Sequence, residues 1–290
     1  MIRNVLFTHN DLDGASCAVL FKTFMDFRDE DIYYVNHGLD NKIDRDIQKN
    51  LSKYNVKECN VFISDISPNT EKIFEWLIKN CKSVTVLDHH KSQEHYQKYG
   101  EFIYTSEKCA TRLVKEYLER IGKWDSPYIK DWNYYVEIVN DFDLWLLKNS
   151  FSKDLNNLFY FMGLTKFVDI FTKKPYMLYR YNDIIEILQN SEKKYIEKTL
   201  STKLPAICGG EYVFCELYIN EVANEIARNN DAKIGIAINM KNKSVSLRSI
   251  GDTSVLIIAE MNGGGGHKNA SGFTFDTIEE INRFIKTGRK

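Results

Sequence analysis

Net charge is almost absent: 39 basic residues stand against 40 acidic ones, a formal −1 over 290 residues. Such a chain has no global field to hold a long nucleic acid by phosphate neutralisation, although a local basic patch is compatible with the count. No run of about 18 apolar residues occurs. The N-terminus enters a strand-like stretch directly, without a charged and then apolar leader. Both features argue against export or membrane insertion. The six cysteines, at 17, 59, 81, 109, 208 and 215, form neither a CxxC pair nor a zinc-type spacing. They read as reduced core thiols of a cytoplasmic protein. Internal repeats are missing, and only one glycine run is of low complexity.

What is present is enough for a large core: 43% of residues are hydrophobic and 13% aromatic, and the length suits two domains. Residues 5–8, 32–36, 61–64 and 83–87 are short β-branched runs, and between them lie stretches with apolar residues at helical spacing. Residues 15–27 and 67–80 are two of these helices. The alternation predicts an α/β fold with a mainly parallel, doubly wound sheet. Residues 109–202 turn almost wholly helical. The lysine-rich stretch 192–203 ends at Pro205, which places the boundary between domains 1–203 and 204–290. The second, smaller α/β domain reads as strand, helix 219–229, strands 234–240 and 244–249, helix 255–261, the glycine run, strand 272–275 and a final helix.

Three polar clusters follow directly on the apolar runs: Thr8-His9-Asn10-Asp11-Leu12-Asp13-Gly14, Asp65, and Asp88-His89-His90. Parallel strands carry ligand sites at their carboxyl ends, so these carboxylates and imidazoles are expected to converge on one edge. Asp11 and Asp13 can each reach a different hard cation. Asp65 can bridge two with its two oxygens, and the nitrogen of His89 favours manganese over magnesium. Asp141 and Asp143 add an acidic pair late in the domain. Each piece alone has a plainer reading, since short polar side chains cap helices and turns. The conjunction of four such sites at element ends outweighs those readings and suits two-metal phosphoester hydrolysis.

In this order the motifs resemble those of the DHH phosphoesterase family, named for the Asp-His-His triplet. The stretch Gly263-Gly264-Gly265-Gly266-His267-Lys268-Asn269-Ala270-Ser271-Gly272 is similar to the glycine-rich motif of that family's associated C-terminal domain. The resemblance implies that Asp11, Asp13, Asp65, His89 and Asp141 ligate two Mn2+ ions, with Mg2+ or Co2+ as substitutes. His9, two residues before Asp11 as in the exonuclease-like branch, is a further candidate ligand. Asp143 competes with Asp141 for the last place, and the spacing to Trp145 favours Asp141. By the same resemblance Asp88, His89 and His90 form the catalytic triplet, with Asp88 orienting a histidine and His90 facing the substrate phosphate. Arg248, Gly264, Gly265, Gly266, His267 and Asn269 contact substrate.

The implied activity is a manganese-dependent phosphodiesterase converting short single-stranded oligonucleotides or linear dinucleotides to mononucleotides. A RecJ-like exonuclease, a cyclic-dinucleotide phosphodiesterase and a small-molecule phosphatase share the same metal centre. A non-catalytic sensor would be expected to have a broken ligand set. Nothing in the sequence opposes a homodimer. The aromatic cluster Trp132, Tyr134, Tyr135, Trp145 and Phe151 fits either a cleft edge or helix packing.

Overall fold

The computed structural model describes residues 2–36, 41–173, 180–206 and 209–290. They form two compact units, Met1–Ile185 and Glu186–Lys290. Unit one runs β1 (Arg3–Thr8), α1 (Leu12–Met25), β2 (Ile32–Tyr34), α2 (Lys42–Leu51), β3 (Cys59–Ser64), α3 (Glu71–Asn80), β4 (Ser83–Asp88), β5 (Phe102–Tyr104) and four helices. Those are α4 (Ala110–Arg120), α5 (Ile129–Asp143), α6 (Ser150–Met162) and α7 (Leu164–Lys173). The sheet order is β2-β1-β3-β4-β5, parallel throughout. The expected α/β fold is the one observed.

Why the helices cover both faces follows from strand composition. Val5, Phe7, Val61, Ile63, Val84 and Val86 point to one side and meet Ile43, Ile47 and Leu51 of α2 with Phe74 and Leu77 of α3. On the other side Phe62 meets Phe21 of α1, ring centroids 5.1 Å apart. Because α1 lies between the sheet and α4, α5 and α7, every residue from Leu12 to Phe21 is buried, so this helix has no polar stripe. Trp132 and Tyr135 are buried in this packing, and the Tyr135 hydroxyl lies 2.8 Å from Ser16 Oγ. These two aromatics are core.

The second unit begins within α8 (Asn182–Leu200) and continues through β6 (Leu204–Pro205), β7 (Glu211–Phe214), α9 (Ile219–Arg228), β8 (Ile234–Asn239) and β9 (Ser244–Ser249). It ends with α10 (Leu256–Met261), β10 (Gly265–His267), β11 (Ala270–Thr274) and α11 (Ile278–Thr287). The expected boundary after Lys203 comes later than the observed one. The physical reason is that Tyr195, Ile196 and Leu200 pack against Val213, Val222 and Ile226, which ties most of α8 to the second core. The sheet order is β10-β11-β9-β8-β7-β6, antiparallel except for β7 with β8. Within the glycine run, Gly265–His267 form an edge strand.

Among the described residues no helix is long and apolar enough to cross a membrane. Cys17, Cys59, Cys109 and Cys215 are buried free thiols and Cys81 is half-buried, whereas Cys208 lies outside the described residues.

Helix α9 lies so close to β8 that a Cβ on Gly235 would stand 1.8 Å from the Ala223 carbonyl oxygen. Gly235→Ala is expected to destabilise the second unit by about 1–3 kcal/mol through overpacking. Denaturant unfolding followed by far-UV circular dichroism checks this, and an unshifted midpoint would refute it.

Candidate metal centre

The strand order reverses between β1 and β3, and at such a switch the loops leaving neighbouring strands part to open a crevice. Asp11 leaves β1 at that point, Asp65 leaves β3, and His89 leaves β4 beside them.

The first loop is tied at both ends. Asp11 caps α1, its Oδ1 accepting from Gly14 N at 3.0 Å while Oδ2 faces His9 Nδ1 at 2.7 Å. Thr8 Oγ1 donates to the Gly14 carbonyl at 2.9 Å and accepts from Ser64 Oγ at 3.0 Å, which joins β1 to β3. A Cβ at Gly14 would sit 2.2 Å from the His9 carbonyl oxygen, so the loop closes only around glycine. Asp13, 1% exposed, accepts from Ala110 N at 2.7 Å and Thr111 N at 2.8 Å. Asn140 accepts from Cys109 N at 2.9 Å. Together they satisfy the first amides of α4, where the helix dipole favours a carboxylate.

Asp65 takes a left-handed backbone, φ 60°, and its amide donates to Leu87 at 3.0 Å. A non-glycine residue held there costs about 1–3 kcal/mol. Its Oδ1 lies 3.3 Å from His89 Nε2 and its Oδ2 3.8 Å from His9 Nδ1. Around His89 Nε2 stand also Asp143 Oδ2 at 3.4 Å and Asp13 Oδ2 at 3.8 Å. Three overlapping groups result, each with ligand atoms within 4.8 Å of one another: His9, Asp11 and Asp65; Asp13, His89 and Asp143; Asp65, His89 and His90.

Whether a cation fits is decided by the carboxylates themselves. Asp65 Oδ2 and Asp143 Oδ2 are buried and accept no hydrogen bond among the described residues. Burial pushes both groups well above the ordinary carboxylate range, and nearby Asp11 and Asp13 add to the rise. Burial also acts to raise Asp11, but the His9 imidazole outweighs it and holds that group well below its usual value. Acids crowded in this way must keep protons or exchange them for cations, and carboxylate oxygens with an imidazole nitrogen are a donor set suited to Mn2+.

Asp141 is not part of this constellation. Both its oxygens are taken up by backbone amides, Lys148 N on Oδ1 and Asn149 N on Oδ2, each at 3.0 Å. Asp143, two residues on and so on another side of α5, occupies the place expected for Asp141. Asp88 is fully buried; its Oδ1 accepts from His89 N at 2.7 Å and His90 N at 3.1 Å and faces His90 Nδ1 at 2.8 Å. Ser67 Oγ donates to the other oxygen. Burial opposes ionisation of both partners, yet Asp88 is held well below the carboxylate range and His90 is pushed up to about 9. The His90 side chain is 39% exposed against 4% for His89, so the triplet points one imidazole into the cluster and one outward. Ser67 and Asn140 escaped sequence reasoning. A serine two residues after Asp65 was the only visible hint of the first.

In the second unit Arg248 is buried in β9, donating to Ser246 Oγ at 3.1 Å and the Leu247 carbonyl at 3.0 Å. Gly264 and Gly266 allow the hairpin to close, since Cβ atoms there would lie 2.0 Å from the Gly272 and 2.6 Å from the Ala270 carbonyl oxygens. Gly265 faces open space, and His267 is exposed at the end of β10. The Asn269 amide nitrogen donates to Ser249 Oγ at 2.9 Å, Gly251 O at 3.1 Å and Thr253 O at 2.9 Å. That donor, expected to meet substrate, holds a loop instead.

Residues 216–289 match the DHHA1 domain. Over 302 aligned residues, 95% of this chain and 74% of the relative, the sequence is 30% identical to the oligoribonuclease NrnB of Bacillus subtilis (strain 168). The chain belongs to the DHH phosphoesterase family. As a DHH phosphoesterase it is a metal-dependent hydrolase. A 3',5'-cyclic-nucleotide phosphodiesterase of Helicobacter pylori is 25% identical over 94% of this chain and 93% of its own length. The crystal structure of RecJ with Mn2+ from Thermus thermophilus superposes with a TM-score of 0.61 at 15% identity, over 98% of this chain and 50% of that one, a likeness of fold.

The shifts give this DHH phosphoesterase a pH signature. Raised carboxyls at Asp65 and Asp143 make the unfolded chain release protons first, so stability falls as pH rises above 3.8, their ordinary value. For His90 the stabilisation is complete below 6.5 and lost as pH climbs through about 9. Asp11 and Asp88, lowered, act oppositely and only as pH falls below 3.8. Chelated protein is therefore expected to lose thermal stability from weakly acid to alkaline pH, and saturating Mn2+ is expected to raise Tm most at the alkaline end. Melting curves across pH with EDTA or Mn2+ test this, and a Mn2+ increment independent of pH would contradict it.

Proposed function

We propose that this protein is a manganese-dependent phosphodiesterase that hydrolyses short oligonucleotides or linear dinucleotides to mononucleotides. The observation that carries the reading is the sharing of Asp65 between two ligand groups, one oxygen toward His9 and Asp11 and the other toward His89. In this reading His9, Asp11 and Asp65 would hold one ion, and Asp13, His89 and Asp143, with Asp65 beside them, the other. Bound there, such ions would supply Lewis-acid activation of the attacking water and charge compensation for displacement at phosphorus.

The chain's own residues do the rest. His90, kept protonated by Asp88, donates to a non-bridging phosphate oxygen and offsets its charge. Ser67 and the two backbone amides on Asp88 fix that imidazole's direction. Asp13 is held in place by the amides of α4, so it meets an ion without reorganising. Gly265 and His267, at the open edge of their hairpin, are the proposed substrate contacts of the second unit. Arg248 stands with them as the phosphate-binding cation. A near-zero net charge favours short substrates, whose binding gains less from counterion release. The name of the Bacillus relative supports the same class.

A manganese-dependent time course on end-labelled RNA and DNA, from dinucleotides to oligomers of about two dozen nucleotides, tests the reading. A 3',5'-cyclic mononucleotide is run alongside, because the Helicobacter relative carries that activity in its name. Fast turnover is expected for the shortest linear species. Asp65→Asn and His89→Ala are each expected to lower kcat by roughly three orders of magnitude, about 4 kcal/mol of barrier. Equal turnover of long strands, or preference for the cyclic nucleotide, would reject the short-substrate assignment.

A further inference from the structure

Asp141 is almost fully buried at the end of α5 and belongs to none of the ligand groups found among the described residues, yet the following loop bonds back to it repeatedly. Its carbonyl accepts from Leu146 N at 2.9 Å and Leu147 N at 3.4 Å. The carboxylate accepts from Lys148 N and Asn149 N, each at 3.0 Å. Four successive amides thus converge on one residue. Asn149, fixed in this way, caps α6 through Phe151 N at 3.0 Å.

The loop so gathered is strained. Trp145 and Leu147 both adopt left-handed backbones, φ 54° and 50°, with no glycine to ease them. Such a conformation persists only where surrounding bonds over-determine it. Asp143 is the last residue of α5 and opens directly into this segment, and its Oδ2 reaches His89 Nε2 at 3.4 Å. Leu144 and Trp145, whose amides bond back to Asn140 and Phe142, are all that separate Asp143 from the amides held by Asp141.

We infer that Asp141 is a positioning residue: its carboxylate clamps the strained loop 144–149 and thereby aims Asp143 at the metal centre. The inference rests on the proposed role of Asp143 as a ligand. Asp141 touches neither ion nor substrate, and its effect is expected in metal affinity and turnover, with substrate binding spared.

Asp141→Asn keeps the volume but retains one acceptor oxygen and turns an NH2 toward a backbone amide. Mn2+ titration calorimetry on chelator-stripped protein is expected to show unchanged stoichiometry with affinity at one site weaker by roughly 10–100-fold. The kcat is expected to fall with it, with KM within about twofold of the parent, as for a loss confined to the transition state. Adding Leu147→Gly, which removes the left-handed strain that the clamp resists, is expected to restore part of both and keeps the test alive if the single variant folds poorly. Complete loss of one ion in Asp141→Asn would make Asp141 a ligand and overturn the clamp. Unchanged affinity and kcat would overturn it too, as would failure of Leu147→Gly to rescue. Asp143→Asn is measured in parallel: retention of both ions there would sink the ligand assignment of Asp143, whereas the clamp is judged on the Asp141 variants alone.

Discussion

Asp65 is buried, left-handed and set among groups of its own charge, and each condition raises the free energy of the metal-free fold. The rest of the site is arranged around that concentration of negative potential. Carboxylates with donors of their own, Asp11 on Gly14 and Asp88 on two backbone amides and Ser67, tolerate ionisation. Asp65 and Asp143 each keep a buried Oδ2 that accepts no hydrogen bond among the described residues, and burial raises both groups. The uneven supply of donors therefore separates the carboxylates held below their ordinary range, Asp11 and Asp88, from those held above it, Asp65 and Asp143.

The scaffold can bear this because the strain sits at the ends of a rigid element. Strand β3 pairs with β1 on one side and β4 on the other, so Asp65 is anchored by two ladders before it turns. The same parallel pairing sets the three loops at a common level, which is why residues far apart in sequence meet within hydrogen-bonding distance. A site carried on free loops would have to organise against this repulsion. Here the sheet's hydrophobic burial offsets it in advance.

Much of this was legible beforehand, for identifiable reasons. Buried β-branched runs announced β1, β3 and β4, and polar residues directly after such runs have few structural uses, so the clusters at residues 9–13, 65 and 88–90 stood out. Strand β10 was not legible, because a glycine run has no side-chain periodicity to read. The lysines of 192–203 marked a solvated helix face, whereas Tyr195, Ile196 and Leu200 between them tie α8 to the second core. Asp141 and Asp143 sit two residues apart, about 200° around a helix, and which one faces the cluster is set by the tilt of α5, which local sequence does not encode. For Asn269 the hidden fact was a loop three residues deep waiting for a donor.

Asp13 has a consequence for the history of such a chain. Its carboxylate closes the first turn of α4 and also sets Oδ2 3.8 Å from His89 Nε2, so the fold and the proposed metal site draw on the same side chain. A lineage that loses catalysis can shed Asp65 and be relieved of strain and repulsion, yet shedding Asp13 uncaps a helix. Inactive descendants of this architecture should therefore decay unevenly, keeping Asp13 as a relic of folding long after the acids proposed to serve only a metal have drifted away.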